Sequence, residues 1–385
     1  MTLPQRSVPQ TSVPRAAVPP ARPSQALLIQ VLRAPAAVRA LAPGDWDVLL
    51  RQAASADMLA TLALLLQDDG LQDVVPAAPR AHLDWACTVG ASHARGVRHE
   101  VWQIAAALDG LALPLILLKG GAYAMAGLDA GRGRVFSDID ILVPKERIDD
   151  VEAALMLQGW VGTHHDAYDQ RYYREWMHEL PPMTHIQRGN TIDVHHAILP
   201  ETAAVRPDPA RLRAAAVPVP GHAGLWMLAP HDMFLHSAVH LFSDGEFGHG
   251  LRDLFDLHRL ACQFGAGPGG AGFWAGLVPR AVELELARPL FYALRYLGRL
   301  LGTAVPAATL AAADAGRPNP ALLASMDALF LRALQPPLPA CADRLSGAAR
   351  FALYVRGNWL RMPPTLLFRH LLHKAFISPK KDSTN

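Results

Sequence analysis

The sequence predicts an α+β fold, a small set of strands held between an N-terminal and a C-terminal helical region. Three observations lead there. Residues 25–110 and 201–385 are dominated by Ala- and Leu-rich stretches in which apolar side chains recur at three- and four-residue steps, the period of a helix. Between them, over residues 111–200, short apolar or alternating runs end at Gly and Pro, as strands do. The whole is 385 residues, 51% apolar and 18% charged, which is a globular composition with enough chain for two or three domains and a sizeable core.

Taken in order, residues 1–24 carry Pro4, Pro9, Pro14, Pro19, Pro20 and Pro23, with Arg6, Arg15 and Arg22 as the only charges. Dense proline forbids helix and removes backbone donors, so this stretch is expected to be a disordered arm; it lacks the apolar segment of a secretory signal. Leu49, Leu50, Ala53, Ala56, Leu59 and Leu62 set the period of the first helical region, with breaks at Pro43-Gly44, Asp69-Gly70 and residues 76–79. That spacing gives two helices, a loop and a longer helix over 79–108. Residues 115–118 (Leu-Ile-Leu-Leu) read as a strand buried on both faces, turning at Lys119-Gly120-Gly121 into a helix. Residues 137–143 alternate as a second strand, Pro144 ends it, and a helix over 145–157 stops at Gly159. Residues 183–187 and 191–198 flank Arg188-Gly189-Asn190 as a β-hairpin. Helices follow over 231–242, 251–264, 271–287, 289–301, 320–334 and 348–360. The amphipathic stretch 366–376 is expected to be a terminal packing helix.

The chemistry concentrates on the strands. Asp138 and Asp140 are two apart, so period two places both carboxylates on one face, with Ile139 and Ile141 on the other. Paired carboxylates repel, and a hard divalent cation such as Mg²⁺ or Mn²⁺ between them relieves the repulsion. Asp193, in Thr191-Ile192-Asp193-Val194-His195, repeats the pattern on a later strand and completes a candidate three-carboxylate site for phosphoryl-group chemistry. Gly120-Gly121 at a strand-to-helix turn would let a phosphate reach backbone N–H groups. Lys119 and Arg134 add positive charge on either side. His195, on the face of Asp193, is a candidate to orient that carboxylate or to ligate; His185 and His240 are weaker candidates of the same kind. His236 and His240 stand four apart on one helix face without the glutamate of a metalloprotease pattern, and are expected to line the cleft or pack against the helix carrying Arg252-Asp253. Asp169, Arg171, Tyr172, Tyr173 and Arg174 read as a half-exposed strand.

In this order, Leu117-Leu118-Lys119-Gly120-Gly121, Arg134, Ser137-Asp138-Ile139-Asp140-Ile141-Leu142-Val143 and Ile192-Asp193-Val194-His195 resemble the polymerase-β-type nucleotidyltransferase superfamily. More narrowly they resemble its bacterial family with an LKG…R…DIDLLV…DxH pattern. The likeness is strong over residues 113–198 and weaker through Leu228-Ala229-Pro230-His231-Asp232 and Leu251-Arg252-Asp253-Leu254. It implies a small mixed sheet as a nucleotidyltransferase core over residues 111–200, with Asp138 and Asp140 as metal ligands and Asp193 as the third, catalytic carboxylate. The superfamily's Gly-Gly or Gly-Ser turn maps onto Gly120-Gly121, and Lys119, Gly120, Gly121, Arg134 and Ser137 are the candidate nucleotide- and phosphate-binding residues. No Ser follows Gly120 here, so contacts at that turn would rest on the backbone.

The expected activity is then Mg²⁺-dependent transfer of a nucleoside monophosphate from an NTP to a hydroxyl or phosphate acceptor on a small molecule, peptide or protein. Two other readings share the site. One is a transferase using a sugar-nucleotide donor or a phosphorylated acceptor in peptide or polysaccharide tailoring. The other is a nucleotide-binding module without turnover, whose proline arm and helices serve a protein or peptide partner; three clustered acids argue against it. With 36 Lys and Arg against 34 Asp and Glu, general nucleic-acid binding is not expected. Mean hydropathy is +0.13, yet no apolar run nears the roughly 20 residues of a membrane span. Cys87, Cys262 and Cys341 lie far apart without a CxxC, which fits a reducing cytoplasm.

Overall fold

The computed structural model describes residues 26–162 and 172–363. The proline arm, residues 169–171 and the stretch 366–376 fall outside these. The N-terminal region holds α1 (Leu27–Arg33), α2 (Pro43–Ser55), α3 (Leu59–Asp68) and α4 (Ala77–Leu108). The spacing predicts one helix where α2 and α3 stand; the chain breaks at Asp57, whose φ of 55° no helix residue adopts. Asp45 Oδ2 accepts the Ala42 N–H at 2.8 Å and caps the start of α2.

A seven-stranded mixed sheet follows, built from β1 (Leu115–Leu117), β2 (Asp138–Leu142), β3 (Trp160–Gly162), β4 (Met183–His185), β5 (Thr191–His195), β6 (Val217–Pro218) and β7 (Leu225–Met227). Their spatial order is β3-β4-β5-β2-β1-β7-β6. The central pair β2–β5 is parallel, as is β1–β7, while β1–β2, β3–β4, β4–β5 and β6–β7 are antiparallel. Gly189, at φ 71°, supplies the left-handed residue that turns the β4–β5 hairpin. Strands β3, β6 and β7 are too short to carry a period, which is why the sequence pattern does not announce them. Tyr172–Trp176 is a single π turn rather than the expected strand. Helix α5 (Lys119–Ala126) follows β1 directly, and α6 (Ile148–Leu157) follows β2 after a 3-10 turn.

Beyond the sheet come α7 (Pro209–Ala215), α8 (Pro230–Ser243), α9 (Gly250–Gly265), α10 (Gly267–Glu283), α11 (Ala287–Tyr296), α12 (Ala307–Ala313), α13 (Pro320–Ala333) and α14 (Ser346–Arg361). Buried apolar side chains from Leu28 on α1 through Ile139 and Ile192 on the sheet to Leu353 on α14 form one continuous core. The sheet is thus gripped from both flanks, with α8 laid against α5, α9 and α11. Among the described residues no helix is long and apolar enough to cross a membrane.

Candidate metal and nucleotide site

Parallel pairing of β2 with β5 sets Asp140 directly opposite Asp193 and Leu142 opposite His195, while Asp138 faces Thr191. Because strand side chains alternate, Ile139, Ile141, Ile192 and Val194 point the other way and are all buried. The acids are therefore displayed by a rigid, buried pair of strands. A cavity of about 190 Å³ opens over them. Its wall includes Asp138, Asp140 and Asp193 from the sheet, Lys119 from the start of α5, and His236 and His240 from α8. Glu179, Asp244 and Arg361 complete its charged lining. Five acidic side chains (138, 140, 179, 193 and 244) thus face two basic ones (119 and 361), a surplus of acids that a cationic guest would relieve.

Asp140 is the hub. Its Oδ1 accepts from Lys119 Nζ at 3.3 Å and from His195 Nε2 at 2.8 Å. Burial acts to raise its pKa, but the Lys119 ammonium and the His195 hydrogen bond overcome that and hold the carboxyl far below the usual range. Asp193 has the opposite fate. Burial, then the charges of Asp140 and Glu179, push it up to about 7, and its buried Oδ1 has no hydrogen-bond partner. An orphaned carboxylate oxygen beside a charged one is the donor set of a hard cation such as Mg²⁺, so the residues fit the expected ion. Ligand atoms of Asp140, Asp193 and His195 all lie within 4.8 Å of one another. Asp138 lines the same cavity but stands outside that close group; it is half-buried and accepts from Ser137 Oγ at 2.8 Å.

Lys119 adopts φ 39°, a left-handed conformation that a non-glycine residue takes only under constraint. It is half-buried, and although burial acts to lower its pKa, Asp140 first and the other acids after it raise it well above the ordinary value, so it stays charged. Gly120 and Gly121 form the first turn of α5, whose leading N–H groups have no intrahelical partner. A Cβ on Gly120 would sit 2.8 Å from the Phe136 ring, so glycine there admits the aromatic ring, not only a ligand. Arg134 is placed differently from the expectation of a phosphate clamp. It is half-buried behind the turn, in an ion pair with Asp256 and 4.0 Å from Asp253 on α9, and it does not line the cavity. His185 is also occupied elsewhere. Its Nε2 bonds the Gln158 carbonyl at 3.1 Å, its Nδ1 accepts the N–H groups of Gln187 and Arg188, and its ring meets Trp160 edge-on. His236 and His240 reach the cavity; burial lowers the pKa of His236, while His240 is half-exposed and lies 3.5 Å from Asp244.

Sequence reasoning missed His178 and Glu179. They precede Leu180-Pro181-Pro182 in a segment with no period, and reach the site through an isolated bridge of Glu179 to His195 and a His196 N–H bond to the His178 carbonyl at 2.8 Å. His195 Nδ1 lies 3.1 Å from Glu179 Oε2. Burial opposes the charge on His195, but Glu179 and Asp140 together raise its pKa. Glu179 is itself raised, by burial first.

A second cavity, about 290 Å³, lies on the other side of Asp138, between the sheet and α4. Phe136, Ser137 and Ile139 form one wall and His93, Val97 and Glu100 the other. Glu100 holds Arg188 through two hydrogen bonds at 2.8 Å and Asn190 at 2.9 Å, fixing the β4–β5 turn to α4.

Comparison with known proteins finds a match over residues 42–302 to a family described as "Uncharacterised nucleotidyltransferase". No curated protein and no solved structure matches the chain. The matched segment is more than half of the 385 residues and contains the whole sheet, every carboxylate of the Asp138–Asp140–Asp193 set and the helices α8 and α9, so this chain belongs to that nucleotidyltransferase family, whose general activity is nucleotidyl transfer.

Proposed function

We propose that the chain is a Mg²⁺-dependent nucleotidyltransferase that moves a nucleoside monophosphate from an NTP to a hydroxyl or phosphate acceptor. The observation that carries this reading is the pairing of Asp140 with Asp193 across β2–β5, one strongly ionised and the other with an unpartnered buried oxygen, beneath a cavity whose acids outnumber its lysine and arginine. Asp138, Asp140 and Asp193 would hold the ion, which when bound supplies charge neutralisation for the triphosphate and the departing pyrophosphate.

The remaining work falls to the chain's own residues. Lys119, fixed at the cavity floor and permanently charged, moves its ammonium from Asp140 toward a phosphate oxygen as the donor enters. Gly120 and Gly121, buried in the first turn of α5, would have to open toward the cavity for their N–H groups to reach a phosphate. The acceptor oxygen attacks the α-phosphorus, the bond to pyrophosphate breaks, and the Asp193 carboxylate, through the oxygen that has no partner in the fold, receives the acceptor's proton. His195 holds Asp140 in orientation through the 2.8 Å bond. Arg134 braces the Gly120 turn against α9 without touching substrate. The two cavities meeting at Asp138 offer separate seats for donor and acceptor.

Incubation with each NTP labelled at the α-phosphate, with and without Mg²⁺, tests this reading. Label should enter a product, and pyrophosphate should be released, only with Mg²⁺ and not in Asp140→Asn. Turnover that is indifferent to Asp140, or label left in a nucleoside diphosphate with no pyrophosphate released, would defeat it.

A further inference from the structure

We propose that His178, Glu179 and His195 form a second metal site, rich in nitrogen and suited to Zn²⁺ or a similar transition ion, next to the carboxylate site and chemically distinct from it. Ligand atoms of these three residues all lie within 4.8 Å of one another. His195 Nδ1 and Glu179 Oε2 are 3.1 Å apart, yet Nδ1 makes no hydrogen bond. Two ligands each about 2.0–2.1 Å from one tetrahedral ion stand roughly 3.3 Å apart, so that spacing suits neighbours on a shared ion. His178 Nδ1 is a second buried nitrogen without a partner, and its ring lies 5.3 Å from that of His195. Three groups thus converge, two of them with a buried nitrogen unspent.

The far side of His195 decides the tautomer. Its Nε2 is 2.8 Å from Asp140 Oδ1, a carboxylate that can only accept, so Nε2 carries the proton. In the neutral ring that leaves a lone pair on Nδ1, 3.1 Å from Glu179 Oε2. A carboxylate, a histidine and an ion in line is the arrangement in which a ligating imidazole is oriented from behind. Two imidazoles with one carboxylate select Zn²⁺-like ions, whereas the oxygen-only set of Asp138, Asp140 and Asp193 selects Mg²⁺. All three side chains line the cavity above the sheet. Since His195 touches both sites, an ion on its Nδ1 would fix the Asp140 carboxylate that faces the other. The competing arrangement is an imidazolium donating to Asp140 and Glu179 at once, with no ion.

The test needs no nucleotide and stands apart from transfer activity. Untagged full-length protein, stripped with EDTA and dialysed, is titrated with Co²⁺ as a spectroscopic probe of four-coordinate sites. One equivalent should bind with visible d–d bands, be displaced by Zn²⁺, and resist a large excess of Mg²⁺. Glu179→Gln and His178→Gln should each weaken Co²⁺ binding at least about tenfold, Asp140→Asn should weaken it by about 10–100-fold, and Asp193→Asn should leave it intact. Circular dichroism confirms folding of each variant; Glu179 lies at the cavity edge, so its variant keeps the test decisive if His178→Gln misfolds. Absence of saturable Co²⁺ binding overturns the proposal in favour of the imidazolium. So does binding lost only in Asp193→Asn, which would place the ion among the carboxylates.

Discussion

Asp193 is where ligand binding and stability pull in opposite directions, and replacing it by Asn separates them. Burial, Asp140 and Glu179 raise its carboxyl from 3.8 to about 7. The folded chain therefore binds that proton more tightly than the unfolded chain does. Between pH 4 and 7 the unfolded state has already released the proton while the folded state holds it, so stability falls as pH rises, and the penalty is complete above 7. Holding the proton that much more tightly is worth about 4 kcal/mol. The amide of Asn carries no charge, so Asp193→Asn should match the parent near pH 4 and exceed it at pH 8 by up to about 4 kcal/mol, roughly 5 °C in melting temperature for a chain of this length. Thermal and urea unfolding at pH 4, 6 and 8, without divalent ions, measures the difference. Mg²⁺ at a hundred times its dissociation constant should add about 2.7 kcal/mol to the parent and nothing to the variant. A variant no more stable than the parent at pH 8, or one equally stabilised by Mg²⁺, refutes the assignment of Asp193 as a buried carboxylate awaiting a cation.

Asp140→Asn strands the Lys119 ammonium, whose side chain is only 17% exposed, and should cost about 3–5 kcal/mol in urea unfolding; adding Lys119→Met should recover much of it. Gly120→Ala places a Cβ 2.8 Å from Phe136 and should destabilise by about 1–3 kcal/mol, whereas at Gly121 the nearest atom is 3.6 Å away and Ala should be close to neutral by the same assay. Glu100→Gln breaks the charge-assisted bonds to Arg188 and Asn190 and should cost about 2–3 kcal/mol, with hydrogen exchange accelerated in the β4–β5 turn.

How far the site was legible in the sequence follows from how local each piece is. Period two alone puts Asp138 and Asp140 on one face, and the structure keeps Ile139 and Ile141 buried on the other. The hairpin about Gly189 was equally readable, because its turn residue declares itself. That Asp193 lands opposite Asp140 depends on strand order, which the resemblance supplied and the spacing could not. Arg134 has the charge of a phosphate clamp, but the acids that engage it, Asp253 and Asp256, lie on α9 more than a hundred residues away. His178 and Glu179 had no periodic signal, since an isolated bridge and not a strand brings them in. Strand β7 was hidden for the same reason: three residues gain meaning only when Leu115 pairs with Leu225.

The central claim is that the carboxylates on β2 and β5 grip a divalent cation with an NTP. A crystal grown with Mn²⁺ and a non-hydrolysable NTP, measured at the manganese edge, tests it most directly. An anomalous peak touching Asp140, Asp193 and the triphosphate, with Asp138 turned toward it and Lys119 drawn onto a phosphate, is the predicted result. Triphosphate bound away from those carboxylates, or Lys119 still seated on Asp140 with no peak between the strands, would contradict it.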